Sequence, residues 1–295
     1  MNDFIQLSDD IYFIQGARNA RYPNSNSILV GDYLIDTGVS NKILRSAKKE
    51  FKINSVILSH WHEDHISGNR LLKGSNFLCH EKDKPIIENI EKMNEYYNIK
   101  DKPIGSEFLN LLELLRMKNT KIDNLINDNE ILEVGDNLRL MIIHTPGHTA
   151  GHCAFYEINS KLGFFGDIDL TKFPYYGNID ANLIEFESSI NKLINIRFKE
   201  AVTGHRGVIE GERQVKEELK NFKDIIKKRD QRILAQLSEK DVVKLEDLKG
   251  KNLIYKKYSY EDFEIIAELL MIEKHFDKFF DQRLVERKND GYILS

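Results

Sequence analysis

Only two of the 295 residues are cysteine, Cys79 and Cys153, and they do not form a C-x-x-C pair. That scarcity excludes a disulfide scaffold and a zinc site made of thiolates alone, and leaves each thiol as a small buried side chain. An excess of positive charge is also lacking. The chain has 43 Lys and Arg against 47 Asp and Glu, a net charge of −4, so no global basic field draws it to nucleic acid or an anionic membrane. No apolar window approaches the ~20 residues of a membrane span. The opening MNDFIQLSDD has neither the basic stretch nor the apolar core of a signal peptide, so a cytoplasmic protein is the expectation. Internal repeats and low-complexity segments are missing too. What is present, 41% hydrophobic and 31% charged residues, suits a globular core. The length suits one large domain or two, at roughly 100–200 residues per domain.

The first sixty residues read as strands and turns: DIYFIQG, NSILVGDYLIDTG and NSVILSH are β-branched or apolar runs broken by Gly, Asn and Asp. Between them NKILRSAKKEF places Ile43, Leu44, Ala47 and Phe51 on one side of a helix. Strand, helix and strand in succession predict an α/β fold. Residues 81–129 become helical and charged, a candidate insertion or cap. Strands resume through NEILEVGDNLRLMIIHTPGH, HCAFYEI and KLGFFGDIDL, and a helix SSINKLINIRF leads to TGHRG. A soft boundary falls near Gly211. Beyond it lie a long charged helix, a second helix with Phe263, Ile266, Ala267, Leu270, Met271 and Phe276 at helical spacing, and a hairpin signal at Asn289-Asp290-Gly291. Helices followed by a hairpin resemble a winged-helix module, giving expected domains 1–211 and 212–295.

The densest chemistry lies in SHWHEDHISGN, where His60, His62, Asp64 and His65 spell H-x-H-x-D-H within six positions. Imidazole nitrogen and carboxylate oxygen are the donors that borderline divalent metals take. The preceding SVIL run puts these groups at the C-terminal end of a strand, a usual place for α/β active sites. Three later residues repeat that placement. His148 lies in TPGHTAGH, Asp167 ends FFGD, and His205 follows AVTG, each directly after a glycine. One His or Asp after a strand is ordinarily a turn residue, but the set together describes a site assembled along one sheet edge. His152 reads as a structural partner of the ligands and Glu63 as a solvated carboxylate.

H-x-H-x-D-H, then P-G-H-T-x-G-H, then G-D, then G-H resembles the metallo-β-lactamase superfamily in motif order from about Asn24 to Gly207. The resemblance implies an αββα sandwich with a helical cap insertion and two divalent metals, Zn²⁺ first with Mn or Fe as alternatives. His60, His62 and His148 would hold one metal, and Asp64, His65 and His205 the other. Asp167 would bridge them, and Asp36 would support the site without binding metal. Asp64 and Asp167 count as its catalytic acids. Two cations sharing a carboxylate can share a hydroxide, whose parent water has its pKa lowered to roughly 7. No serine or cysteine nucleophile is then needed.

The substrate stays open at this level. A small ester, thioester, lactone or lactam is the first reading, with Tyr175 and Tyr176 of FPYYGN as substrate-binding candidates. The alternative is an endoribonuclease acting on single-stranded RNA. FPYYGN and the helical tail resemble the lactamase-beta-like subgroup, which includes such an enzyme, with Tyr in place of a Trp in its P-W-Y-G segment. The tail argues against a nucleic-acid reader, since residues 212–295 carry 19 basic and 18 acidic residues and lack the basic face such modules display. Its clusters Lys227-Lys228-Arg229, Lys256-Lys257 and Arg287-Lys288 read as solvated faces. Met271-Ile272 and Phe279-Phe280 are candidate contacts for an oligomer.

Overall fold

The alternation of side chains along each strand gives this chain three layers of core. In the computed structural model, which describes residues 4–295, seven strands lie side by side in sequence order. They are β1 (Phe4–Ser8), β2 (Ile11–Ile14), β3 (Ser27–Val30), β4 (Tyr33–Ile35), β5 (Ser55–Ile57), β6 (Asn76–His80) and β7 (Asn124–Ile126). Pairing is antiparallel from β1 to β4 and parallel from β4 to β7. A second sheet holds β8 (Ile131–Glu133), β9 (Arg139–His144), β10 (Cys153–Glu157), β11 (Leu162–Phe164), β12 (Glu200–Val202) and β13 (Ile209–Glu210).

Ile28, Ile35 and Ile57 project from one face of the first sheet and meet Ile142, Phe155, Phe164 and Val202 of the second. Their neighbours Leu29, Leu34 and Val56 point the other way, into a layer with Ile43, Leu44 and Ala47. Those three belong to the Asn41–Glu50 helix, whose first turn is capped by the Ser40 hydroxyl accepting from the Ile43 amide. On the outside of the second sheet, Ile143, Ala154 and Ala201 are covered by the Leu183–Ile194 and Glu212–Leu234 helices. Two sheets face to face with helices outside form the expected αββα sandwich.

The segment read as an insertion, 81–129, is the crossover between the parallel strands β6 and β7, and it ends earlier than expected because residues 124–126 are β7 itself. Its short helices Lys84–Ile87 and Met93–Tyr96 and the longer Pro103–Leu114 pack Ile86, Met93, Phe108 and Leu112 into the first sheet's outer core.

The tail supplies two long helices, Glu212–Leu234 and Glu261–Asp281, a short 3-10 turn and a hairpin of β14 (Val285–Lys288) and β15 (Gly291–Leu294). The first helix is part of the sandwich's outer layer, and one continuous core runs from Ile143 and Phe186 through Phe222 and Ile226 to Met271, Phe276 and Val285. The expected boundary near Gly211 therefore marks the start of a helix, where φ is +91°, and not a gap between two cores. The hairpin forms where expected, with Asn289-Asp290 as its two-residue loop and Gly291 opening β15. Met271, Ile272 and Phe279 point inward, so only Phe280 of the expected oligomer contacts remains exposed, at 45%.

A buried polar network fastens the tail. Arg229 donates to the Tyr176 hydroxyl, which donates to His275 Nε2 at 2.8 Å. His275 Nδ1 donates to Asp230 at 2.6 Å, and Lys278 bridges Asp230 and Glu187. Burial holds His275 neutral, its pKa pulled down to about 4 from 6.5, against the pull of Asp230 and with the help of Arg229 and Lys278. The unfolded chain thus binds a proton that the native chain refuses between those values. The resulting stability is full above pH 6.5 and is lost as pH falls toward 4, by about 3 kcal/mol. Denaturant unfolding at pH 7 and pH 4 is expected to show that extra loss in the wild type relative to His275→Gln, and equal pH slopes for the two proteins would refute the assignment.

Candidate metal centre

β9 and β11 are both antiparallel to β10, and β11 is parallel to β12, so β9, β11 and β12 run the same way. The loops that follow them, carrying His148, Asp167 and His205, leave the second sheet at one edge. The loop after β5 reaches the same edge, where the Ser59 carbonyl accepts from the Cys153 amide at the start of β10. The turn Glu63–Ile66 then presents Asp64 and His65. Close approach of these loops needs glycine. A Cβ on Gly204 would lie 2.6 Å from Asp167 Oδ1 and 2.7 Å from His65 Cε1, and Gly166 takes φ +51° against the ring of His152.

All seven expected ligands converge, in two groups. His60, His62, His148 and Asp167 form one, and Asp64, His65 and His205 the other. His148 Nε2 lies 3.3 Å from His60 Nε2 and 2.9 Å from His62 Nδ1. His65 Nε2 lies 3.4 Å from His205 Nε2, which lies 3.3 Å from Asp64 Oδ2. Asp167 stands between the groups: Oδ2 is 3.4 Å from His148 and 3.9 Å from His60, and Oδ1 is 2.9 Å from His65 and 3.4 Å from His205.

The outward nitrogens show what these contacts are for. His60 Nδ1 donates to the Ser59 hydroxyl, which donates to Asp36. His65 Nδ1 donates to Asp36 Oδ2 at 2.7 Å, His148 Nδ1 to the Tyr175 carbonyl at 2.8 Å, and His205 Nδ1 to the Ala20 carbonyl at 2.7 Å. With the ring proton held outside, each inner nitrogen of a neutral imidazole presents a lone pair. Lone pairs facing one another at 3.3–3.4 Å repel unless a cation lies between them. Two nitrogens bound tetrahedrally at roughly 2.0–2.1 Å stand about 3.3–3.4 Å apart. The donor set therefore fits divalent metal in both groups.

Electrostatics agrees. Burial holds His60, His62 and His148 well toward the neutral form that ligates metal. Burial also opposes charge on His65 and His205, but Asp167 outweighs it, with Asp36 and Asp64 adding for His65 and Asp64 for His205, so both are pushed well up. The acids of the second group favour positive charge there, carried either by protons or by a divalent cation in their place.

The surroundings correct several expectations. Glu63 is not solvated. It is 3% exposed and accepts from the hydroxyls of Tyr22 at 2.7 Å and Tyr97 at 2.8 Å, and burial followed by Asp64 raises its carboxyl to about 7. The Tyr97 ring, from the 81–123 crossover, stacks on His62 with centroids 5.5 Å apart. Tyr175 lies against His62 and His148 at 5.9 and 6.0 Å. Tyr176 does not face the cluster, because its hydroxyl is spent on Arg229 and His275 inside the tail network. His152 accepts from the Asp167 amide at 3.0 Å and so positions the loop that carries Asp167. Asp83, which carries no signal in the sequence, is fully buried and ties the His60 loop to the His148 loop through the Trp61 and Gly151 amides and the Thr149 hydroxyl.

Comparison with known proteins places this geometry. The metallo-beta-lactamase superfamily matches residues 21–205, an interval that contains all seven candidate ligands. Hydroxyacylglutathione hydrolase GloC of Haemophilus influenzae is 30% identical over 146 residues, covering 46% of this chain and 59% of that protein. The beta-lactamase-like protein 2 homolog of Drosophila melanogaster is 26% identical over 199 residues, 63% of this chain and 60% of that protein. The chain thus spans about 60% of the length of either relative. A metallo-beta-lactamase family protein from Thermus thermophilus shares the fold with a TM-score of 0.68 at 20% identity, over 97% of this chain and 93% of that one. The chain belongs to the metallo-beta-lactamase superfamily, and its buried His and Asp cluster is that of a metal-dependent hydrolase.

Proposed function

We propose that this protein hydrolyses a small thioester at a dinuclear centre, with His60, His62 and His148 holding one metal, Asp64, His65 and His205 the other, and Asp167 shared. The observation that carries the reading is the split of Asp167, one carboxylate oxygen turned to each group of ligands. Zinc is the metal that imidazole and carboxylate donors suit. Bound there, two such ions supply a water acidified to about pKa 7 and polarise the scissile carbonyl.

The chain's own residues do the rest. Outward hydrogen bonds from His60, His65, His148 and His205 aim the inner nitrogens at the metal positions. Burial restricts access: His60, His65 and His148 side chains are 0% exposed, while Asp167 is 11% and His205 18% exposed. Entry is thus confined to the Asp167–His205 side, which suits a small acyl group better than a polymer strand. Tyr97 and Tyr175 wall the His62 side with aromatic surface, and the shelter from bulk water strengthens every charge inside. The thioester choice rests on GloC, whose name is that of a hydroxyacylglutathione hydrolase.

Metal-loaded protein is expected to hydrolyse a hydroxyacylglutathione thioester and to stop when a chelator is added. Cleavage of single-stranded RNA without any acyl hydrolysis would reject this reading in favour of the nuclease. Asp167→Asn is expected to lower metal content per chain and to cost more in kcat/KM than Asp36→Asn, which removes only an orienting partner and should weaken metal binding by about 10–100-fold. Elemental analysis with chelator competition reads both, and full metal content in Asp167→Asn would contradict the shared-carboxylate role. Gly204→Ala is expected to retain its circular dichroism spectrum and lose metal, because the new methyl group meets Asp167 and His65.

A further inference from the structure

The two basic clusters of the tail that read as solvated faces come together in the fold. They line one cleft of about 960 Å³ between the Glu212–Leu234 helix and residues 254–257, with Lys172 and Phe173 on a third side. Lys172, Lys228, Arg229, Arg232, Lys256 and Lys257 face it, and no acidic side chain does among the described residues. Among the described residues none of these six forms an ion pair with a carboxylate.

Arg229 is the informative member. It is 1% exposed, yet its guanidinium meets the Pro174 carbonyl, the Tyr176 hydroxyl and the ring faces of Phe173 and Tyr176, 4.7 and 5.3 Å from their centroids, and no carboxylate among the described residues. Its Nε is buried and has no partner. The adjacent Asp230 is committed to His275 and Lys278. A buried cation without a counterion is costly. One set at a concave surface among five further cations leaves a place shaped for an anion with several charges.

Size and lining narrow the class. Pockets for small ligands run to about 300–1,000 Å³, whereas single-stranded nucleic acid tracks a groove over several nucleotides. Phe173 and Tyr255, with centroids 4.6 Å apart, add an aromatic wall on which a base can stack. Phe173 lines the cleft, and two residues further along the chain Tyr175 lies against His62 and His148.

We propose that this cleft binds the phosphate-bearing part of a small substrate, a nucleoside diphosphate group, whose scissile thioester enters the metal centre by its Asp167–His205 opening. The substrate role rests on the hydrolase reading above, but phosphate binding by the cleft does not. Titration calorimetry of the metal-loaded protein with adenosine 5′-diphosphate is expected to show one saturable site. Its affinity should fall about 10-fold or more in Lys228→Glu/Lys257→Glu, and by less in Lys228→Gln/Lys257→Gln. A paired assay compares a thioester whose thiol carries a nucleoside diphosphate with a short uncharged thioester. The ratio of their kcat/KM values should fall about 10-fold in the charge-reversed variant. No saturable binding, equal affinity in the variant, an unchanged ratio, or binding of a single-stranded RNA without binding of the diphosphate would each overturn the proposal. Diphosphate binding that the variant loses, with neither thioester hydrolysed, would leave the cleft assigned and reject the hydrolase reading instead.

Discussion

The structure depends on bringing seven Lewis-basic atoms within a few ångströms of one another in a nearly dry place. Much of their mutual interaction opposes this, since facing lone pairs and clustered carboxylates repel, and only the pull of Asp167 and Asp64 on His65 and His205 offsets it. The cost is met from outside the cluster. Asp36, Ser59 and the Tyr175 and Ala20 carbonyls accept the outward imidazole protons, and Asp83 and His152 hold the loops that carry the ligands. Each support is itself buried, or is backbone of an ordered segment, so orientation is set before any ion arrives. That preorganisation is what allows a polar site to sit at the rim of a core of Ile, Val and Phe without being filled by it.

The sandwich serves the same end. Strands that run the same way deliver their following loops to one edge, and the second sheet does so three times, after β9, β11 and β12. The first sheet contributes its share through the turn after β5. The outer helices are not inert packing. The 81–123 crossover brings Tyr97 onto His62, and the Glu212–Leu234 helix brings Arg229 beneath the loop that holds Tyr175. One wall of the metal centre and the basic cleft therefore share the Phe173–Tyr176 segment.

Much of this was legible in the chain. H-x-H-x-D-H with its three glycine-preceded partners named the donors that converge in the fold, because metal chemistry tolerates few donor types and the strand-end placement is a local property. The hairpin at Asn289-Asp290 and the helix of Ile43, Leu44 and Ala47 were legible for the same reason, being written in neighbouring residues. Tyr176 and Glu63 were misread because local sequence does not say which way a side chain turns. Tyr175 and Tyr176 are adjacent and chemically alike, yet one faces His62 and the other the tail network.

The sequence by itself determined the donor set and the strand and helix alternation, since each follows from residue type and spacing, and its motif order carried the resemblance that implied the αββα sandwich. Tertiary structure alone decided three things. It made the tail's first helix part of the sandwich, because apolar residues far apart in the chain share one core. It turned Glu63 inward, because Tyr22 and Tyr97 arrive from two separate segments to meet it. It gathered Lys172, Lys228 and Lys257 into one cleft, because charge density is a property of surfaces, and distant stretches of chain become one surface only on folding.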